Sequence, residues 1–161
     1  MRICFVCTGN TCRSPMAEYL LRFFLFDCPK IEICSAGIQA FAGSAASNGS
    51  LEVMTSKYGI DLSEHRSTRI DNQLLAESDR IYAMTKQHKQ ILVQVYPEFM
   101  DKIETLGEAV GLPDVDVADP FGYDISEYES TADQLHYLLS RLASQLKHYC
   151  QNEDNLANNE K

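Results

Sequence analysis

Two cysteines and an arginine lie close together near the start of the chain, in the segment VCTGNTCRS from Val6 to Ser14. Five residues separate Cys7 from Arg13, a length that lets a loop curl around a tetrahedral anion. Arginine presents a planar fork of donors that binds two phosphate oxygens at once, which lysine cannot imitate. A positive environment also favours the thiolate, the nucleophilic form of cysteine. The spacing predicts a phosphate-binding loop in which Cys7 attacks phosphorus while Arg13 holds its oxygens.

The segments on either side of this loop predict how it is held. Arg2 to Val6 reads as a buried strand, and apolar residues recur at helical spacing from Pro15 to Phe26. A loop between them would lie at the positive end of the helix dipole. Ser14 is expected to cap that helix, with Pro15 at its first position, and Gly9 is expected to allow a conformation or close approach that a side chain would forbid. The residues predicted to bind phosphate are Thr8, Gly9, Asn10, Thr11, Cys12, Arg13 and Ser14.

A nucleophile needs a partner that protonates the leaving group, and Asp119 is the candidate acid. Pro120 follows it and holds the preceding residue extended. The pair lies in a loop before the last predicted helix, where Asp119 could hang over the anion site. Judged from these residues alone, an Asp-Pro pair is more often an ordinary turn than a catalytic group.

Strands and helices alternate along the chain, which predicts an α/β fold. A single domain over residues 1–150 is expected, with a small parallel twisted sheet of about four strands, helices on both faces and the phosphate-binding loop after the first strand. A capping box of Ser126 and Glu129 predicts the start of the last helix. The polar segment 151–161 is predicted to be a disordered tail. The other predicted strands are Ile31 to Cys34, Arg80 to Met84 and Lys102 to Leu106, and the other helices are Ser47 to Tyr58 and Thr85 to Val95.

Composition limits the partners and the location of the protein. A formal net charge of −9 disfavours binding to nucleic acid or to an anionic membrane. No apolar stretch is long enough to span a bilayer, and the short apolar start does not resemble a signal peptide. A cytoplasmic location is therefore expected, and the six cysteines are expected to be thiols.

Five segments form a distinctive set, namely Cys7 to Pro15, Ser35 to Gly37, His65 to Ser67, Asp79 to Met84 and Asp119 to Gly122. Together they resemble the low-molecular-weight protein tyrosine phosphatase family. The resemblance implies a cysteinyl-phosphate mechanism without a metal or other cofactor, acting on phosphorylated proteins. Cys7 would be the nucleophile, Arg13 would stabilise the transition state, and Asp119 would protonate the leaving group and then activate water.

The resemblance also implies supporting roles around the loop. Ser14 would donate a hydrogen bond to the sulfur of Cys7, and a network of Asn10, Ser35 and His65 would hold the loop in shape. Cys12 would form a reversible disulfide with Cys7, the arrangement that redox sensors use. Taken singly, a histidine such as His65 is more often a surface residue, and a cysteine such as Cys12 can serve packing alone.

Two positions bear on the substrate. Many tyrosine phosphatases of this family carry Ile where this chain has Thr11, and two aromatic residues where it has Phe121 and Gly122. The branch it resembles more closely includes protein arginine phosphatases. A hydroxyl at position 11 leaves room and polarity for a guanidino group, while Phe121 could stack on either substrate. Acidic residues at Asp114, Asp116 and Asp119 would favour a cationic substrate.

Other functions stay open beside phosphoarginine hydrolysis. If the threonine at position 11 has no effect on substrate choice, the protein would be a phosphotyrosine-specific enzyme. Thioredoxin-coupled arsenate reductases resemble this loop, but they need a further pair of cysteines, and none occurs between Cys34 and Cys150. A phosphate-binding module without activity is disfavoured because Cys7, Arg13 and Asp119 are all present. A monomer is favoured over an oligomer.

Overall fold

Four parallel strands form the centre of the protein in the order β2-β1-β3-β4. The structure is a computed structural model that describes the backbone of residues 1–158 and the side chains of residues 1–150. Every neighbouring pair is parallel, so all carboxyl ends of the strands meet at one edge of the sheet. The predicted α/β fold is confirmed. The strands are β1 (Arg2–Cys7), β2 (Glu32–Gly37), β3 (Arg80–Ala83) and β4 (Ile103–Thr105).

Helices cover both faces of this sheet. One apolar cluster joins the sheet to α1, α2 and α6, and a second joins it to α3 and α4. The short elements α3, α5 and a 3₁₀ turn at Pro97–Lys102 were not predicted, because one or two turns are too few to show helical periodicity. The helices are α1 (Arg13–Phe24), α2 (Asn48–Tyr58), α3 (Asn72–Glu77), α4 (Lys86–Val95), α5 (Leu106–Ala109) and α6 (Ile125–Asn158).

The central strand β1 divides its side chains between the two clusters. Ile3, Phe5 and Cys7 belong to the cluster with α1 and α6. Cys4 and Val6 belong to the cluster with α3 and α4. Successive side chains of a strand point to opposite faces, so a strand covered on both sides is apolar throughout. This arrangement places Cys7 at the carboxyl end of the strand, directly before the loop that is predicted to bind phosphate.

Two predicted helix caps are wrong. Helix α1 begins at Arg13 and has no side-chain cap, because the hydroxyl of Ser14 contacts the sulfur of Cys7 instead. At the start of α6, the carboxylate of Asp124 accepts the backbone N–H of Ser126 at 3.1 Å. That carboxylate takes the donor that the predicted box of Ser126 and Glu129 would have used.

The expectation that all cysteines are thiols is wrong for two of them. Cys28 and Cys150 form a disulfide with their Cα atoms 6.1 Å apart, across a sequence separation of 122. The length of α6 explains the pairing, because the helix packs along α1 and brings Cys150 to the turn after α1. Cys4, Cys7, Cys12 and Cys34 are free thiols.

The last helix reaches into the segment predicted to be disordered. Its backbone is helical to Asn158, since 151–158 contains no glycine or proline that would end a helix. Residues 159–161 lie outside the described residues, so the boundary at residue 150 and the disorder beyond the helix stay predictions. Within residues 1–158, no helix is both long and apolar enough to cross a membrane. The cytoplasmic location and the monomeric state also stay predictions.

Candidate active site

A cavity of about 200 Å³ opens beside the carboxyl end of β1. It contains the predicted nucleophile, the predicted arginine and the predicted acid together, although the acid lies over a hundred positions further along the chain. The side chains of Asn10 and Ser14 do not line it, and both residues are fully buried. The residues that line the cavity are Cys7, Thr8, Gly9, Thr11, Cys12, Arg13, Asp119 and Phe121.

The sulfur of Cys7 is held by two polar groups. It lies 2.9 Å from the hydroxyl of Ser14, and the backbone N–H of Asn10 donates to it at 3.3 Å. Ser14 accepts a hydrogen bond from the side-chain amide of Asn10 at 2.9 Å, and its own hydrogen can go to the sulfur or to the carbonyl of Ala36, which lies 3.3 Å away. Both groups can therefore stabilise a thiolate at Cys7.

Asn10 ties the loop to its surroundings. It has a backbone φ of 54°, in the left-handed region that asparagine tolerates better than most residues. Its side-chain amide also donates to Ser35 at 2.8 Å, and its Oδ1 accepts the backbone N–H of Thr68 at 2.8 Å. His65 donates from Nε2 to the Asn10 carbonyl at 2.8 Å and is buried. The structure thus brings together all four predicted supporting residues, Asn10, Ser14, Ser35 and His65.

A buried glutamate extends this network, and the sequence did not reveal it. Glu18 accepts a hydrogen bond from Ser35 at 2.5 Å and forms an ion pair with Arg22 at 2.6 Å. Its carboxylate is only 8% exposed. The charge of Arg22 offsets the cost of burying a carboxylate behind the loop. A glutamate on a helix four residues before an arginine usually forms a surface ion pair, so sequence spacing points away from this role.

The glycine that the loop requires is Gly37 rather than Gly9. A Cβ at Gly37 would lie 2.6 Å from the carbonyl oxygen of Thr8 and 2.9 Å from the nitrogen of Asn10. At Gly9 a Cβ would meet only Thr11, at an ordinary 3.7 Å. The unusual backbone conformation expected at Gly9 is therefore found at Asn10, in the left-handed region. The close backbone approach is found at Gly37, the last residue of β2.

Arg13 and Asp119 face each other across the cavity. The guanidinium donates to a carboxylate oxygen of Asp119 at 2.7 Å, and it also donates to the carbonyl of Val117 at 3.5 Å. The Arg13 side chain is 6% exposed and that of Asp119 is 52% exposed. Arg13 is therefore buried and held by the carbonyl of Val117, while the carboxylate of Asp119 lies on an accessible loop. A phosphoryl group entering the cavity would meet both at once.

The other acidic residues of this loop do not face the cavity. Asp114 pairs with the ammonium of Lys86 at 3.0 Å. Asp116 accepts the backbone N–H of Lys86 at 2.8 Å, at the start of α4. The predicted acidic patch is therefore partly neutralised, and Asp119 alone among the three lines the cavity.

A comparison with protein families now identifies this site. The model of the low molecular weight phosphotyrosine protein phosphatase family matches residues 2–152. The chain belongs to this family. It is a protein phosphatase, and phosphorylated proteins are its substrates. The predicted resemblance is confirmed.

Relatives of the phosphatase carry two kinds of name. The chain is 43% identical over 146 residues to a protein-arginine-phosphatase of Geobacillus stearothermophilus, and this match covers 91% of the chain and 96% of the relative. It is 42% identical over 142 residues to the low molecular weight protein-tyrosine-phosphatase PtpB of Staphylococcus haemolyticus, covering 88% and 97%. A solved structure of the YwlE arginine phosphatase, in which a phosphorylated serine replaces the active-site cysteine, superposes with a TM-score of 0.87 at 41% identity, covering 91% and 96%.

Cys12 of the phosphatase has polar partners that the sequence did not reveal. Its thiol lies 3.2 Å from the hydroxyl of Ser47 and 3.5 Å from that of Tyr128. Burial, followed by the hydrogen bond to Cys12, raises the pKa of Tyr128. Tyr128 comes from α6, and its contact with the loop depends on how that helix packs, which the sequence signals of the helix do not show. These contacts fix the second cysteine of the loop.

His88 is the other contributor that the sequence did not reveal. It lies in the first turn of α4, and Nε2 is 2.9 Å from the hydroxyl of Thr8, the residue directly after Cys7. Burial, with a further effect of the nearby Arg13 charge, lowers the pKa of His88 to about 4. The imidazole is therefore neutral at physiological pH. A single histidine after Thr85 carries no signal that it will contact a loop 80 positions earlier.

Proposed function

We propose that this phosphatase hydrolyses phosphoarginine in proteins through a cysteinyl-phosphate on Cys7. The observation that carries the substrate is Thr11 in the wall of the cavity. A β-branched residue with a hydroxyl offers the guanidino group a polar contact, whereas a larger apolar residue would narrow the cavity and suit a phenyl ring. The name of the relative from Geobacillus stearothermophilus supports the same substrate.

The remaining wall of the cavity also suits a guanidino group. Phe121 is 70% exposed at the rim, where its ring could stack on a planar cation. Asp119 places a carboxyl oxygen within the same cavity. The guanidino group of the substrate can therefore meet an aromatic face and a hydrogen-bond acceptor together.

The catalytic roles follow from the geometry of three residues. The Cys7 thiolate attacks phosphorus while the bond from phosphorus to the leaving nitrogen breaks, and protonated Asp119 gives that nitrogen a proton. Arg13 exchanges its contact with Asp119 for two phosphoryl oxygens and stabilises their charge. Asp119, now ionised, takes a proton from water as the water attacks phosphorus. Inorganic phosphate leaves, and Ser14 stabilises the departing thiolate.

Replacing Thr11 by isoleucine tests the substrate. We expect kcat/KM for a phosphoarginine protein to fall by about tenfold to a hundredfold, since one pocket contact discriminates substrates by roughly that factor. We expect kcat/KM for a phosphotyrosine peptide to rise, so that the preference reverses. Both substrates are measured by phosphate release, with Cys7→Ser as the blank.

Thr11→Val is the matched control, because it removes the hydroxyl and keeps the size of the side chain. A loss with valine as large as that with isoleucine would assign selection to polarity, and a smaller loss would assign it to size. A wild-type preference for phosphotyrosine that Thr11→Ile leaves unchanged would contradict the proposal. The phosphatase would then be specific for phosphotyrosine.

We also propose that peroxide inactivates the phosphatase reversibly through Cys12. The Cys7 thiolate attacks one peroxide oxygen, hydroxide leaves, and a sulfenic acid forms; the Cys12 sulfur then attacks Cys7 and water leaves as the disulfide forms. We expect dithiothreitol to restore most activity to the wild type after prolonged peroxide treatment. The Cys12→Ser variant should recover little activity, because the sulfenic acid on Cys7 cannot form the disulfide and is oxidised further. Equal recovery in both would refute the disulfide, and Cys34→Ser is the matched control.

A further inference from the structure

His88 connects two hydroxyl groups through the two nitrogens of its ring. Nδ1 lies 2.8 Å from the hydroxyl of Thr85, the N-cap residue of α4. Nε2 lies 2.9 Å from the hydroxyl of Thr8, in the phosphate-binding loop. The imidazole is 6% exposed. A buried ring with both nitrogens bonded has a single orientation, so it can hold Thr8 in place.

The other hydrogen bond of the Thr85 hydroxyl favours one direction for this chain. The Thr85 hydroxyl oxygen accepts the backbone N–H of His88 at 3.1 Å, so its own hydrogen is left to donate to Nδ1. Nε2 then carries the ring hydrogen and donates it to the oxygen of Thr8. The hydrogen of the Thr8 hydroxyl is the last donor in the chain. Thr8 is exposed and lines the active-site cavity.

The charges around His88 keep the ring in the neutral form that this direction requires. Burial has the largest effect on its pKa, and the positive charge of Arg13 acts in the same sense. The carboxylates of Asp119 and Asp116 oppose them with smaller effects. An imidazolium would donate from both nitrogens and would force the Thr85 hydroxyl to accept twice. At neutral pH the ring instead accepts at Nδ1 and donates at Nε2.

We propose that His88 is a positioning residue of the phosphatase reaction, holding Thr8 so that its hydroxyl donates a hydrogen bond to the phosphoryl group in the cavity. Thr8 thereby adds a side-chain donor to the loop directly beside the nucleophile. The proposal concerns phosphoryl transfer and does not depend on whether the substrate is phosphoarginine or phosphotyrosine. It is therefore tested on p-nitrophenyl phosphate.

A double-mutant cycle of His88→Ala and Thr8→Val tests the proposal. Each single variant is expected to lower kcat/KM by about tenfold, the effect of one hydrogen bond to a charged group. The double variant is also expected to lose about tenfold, because the two residues act as one unit. Losses that multiply to about a hundredfold would overturn the proposal. A Thr8→Val variant as active as the wild type would also overturn the proposal. That result does not require any substitution at the buried His88.

Two further variants separate positioning from stability. His88→Gln keeps a side-chain N–H donor and is expected to stay within about threefold of the wild type. His136→Ala is the matched control, because this histidine stacks on Tyr58 and contacts Phe24 outside the active site. It should lower the thermal midpoint without changing kcat/KM. If His88→Ala behaves like this control, or if His88→Gln is as impaired as His88→Ala, the positioning role is refuted.

Discussion

Arg13→Lys is expected to lower kcat for p-nitrophenyl phosphate by about a thousandfold, the scale of an arginine that stabilises a phosphoryl transition state. Lysine keeps the positive charge and can still pair with Asp119. It loses the planar fork that binds two oxygens at once, and its point charge cannot replace that geometry. Because the second contact forms chiefly in the transition state, the loss should fall on kcat more than on KM. Steady-state kinetics with a thermal melt for each variant measures both effects.

Arg141→Lys is the matched control for that experiment. Arg141 donates to the carbonyl of Val110 at 3.2 Å and lies over the ring of Tyr137, away from the residues that line the cavity. The same substitution there should leave kcat unchanged. An Arg13→Lys variant within tenfold of the wild type would show that charge alone suffices, and the proposed bidentate role of Arg13 would be wrong.

Asp119→Asn should have the second largest effect, and its size should depend on the leaving group. Asparagine can still accept the hydrogen bond from Arg13 but cannot give a proton to the leaving atom. We expect kcat/KM to fall by about a hundredfold to a thousandfold for phenyl phosphate, the range for loss of a general acid. The loss should be smaller for p-nitrophenyl phosphate, because p-nitrophenolate departs more readily without protonation. A series of substituted phenyl phosphates measures this dependence.

Asp114→Asn removes a negative charge from the same segment without touching the cavity. Asp114 is 95% exposed and pairs with Lys86, so its loss should change kcat/KM little for any leaving group. A similar loss in both variants would assign the effect of Asp119 to general electrostatics. A loss at Asp119 that is equal for good and poor leaving groups would argue against proton donation.

The sequence predicts the sheet and the main helices well, because their signals are local. The apolar run at Arg2 to Val6 and the apolar residues at helical spacing from Pro15 to Phe26 are long enough to identify each element. The caps fail for the opposite reason. Whether Ser14 bonds its own helix or the sulfur of Cys7 depends on a contact that exists only after folding. The disulfide of Cys28 and Cys150 likewise depends on how far α6 runs along α1.

Some residues of the site can likewise be predicted from local sequence, and others depend on packing. Cys7 and Arg13 can be predicted because the spacing within one loop suffices for their chemistry. Asp119 is predictable chiefly through the family resemblance, since an Asp-Pro pair has many ordinary uses. Glu18 and His88 could not be found, because each looks like a common helix residue and acts through a hydroxyl on another element. The network behind the loop is a product of packing, which a single sequence does not display.

The alternation of side chains along β1 also constrains how this enzyme can change. Cys7 shares the odd-numbered phase of Ile3 and Phe5, which pack under α1 and α6, while Cys4 and Val6 fill the opposite layer. Inserting or deleting one residue in the strand would either exchange the two apolar layers or turn the sulfur to the other face. A substitution that alters size disturbs the packing at one buried position, whereas a change in length displaces every side chain that follows. The register of β1 and the filling of both apolar layers therefore also determine the face of the sheet on which the Cys7 sulfur lies.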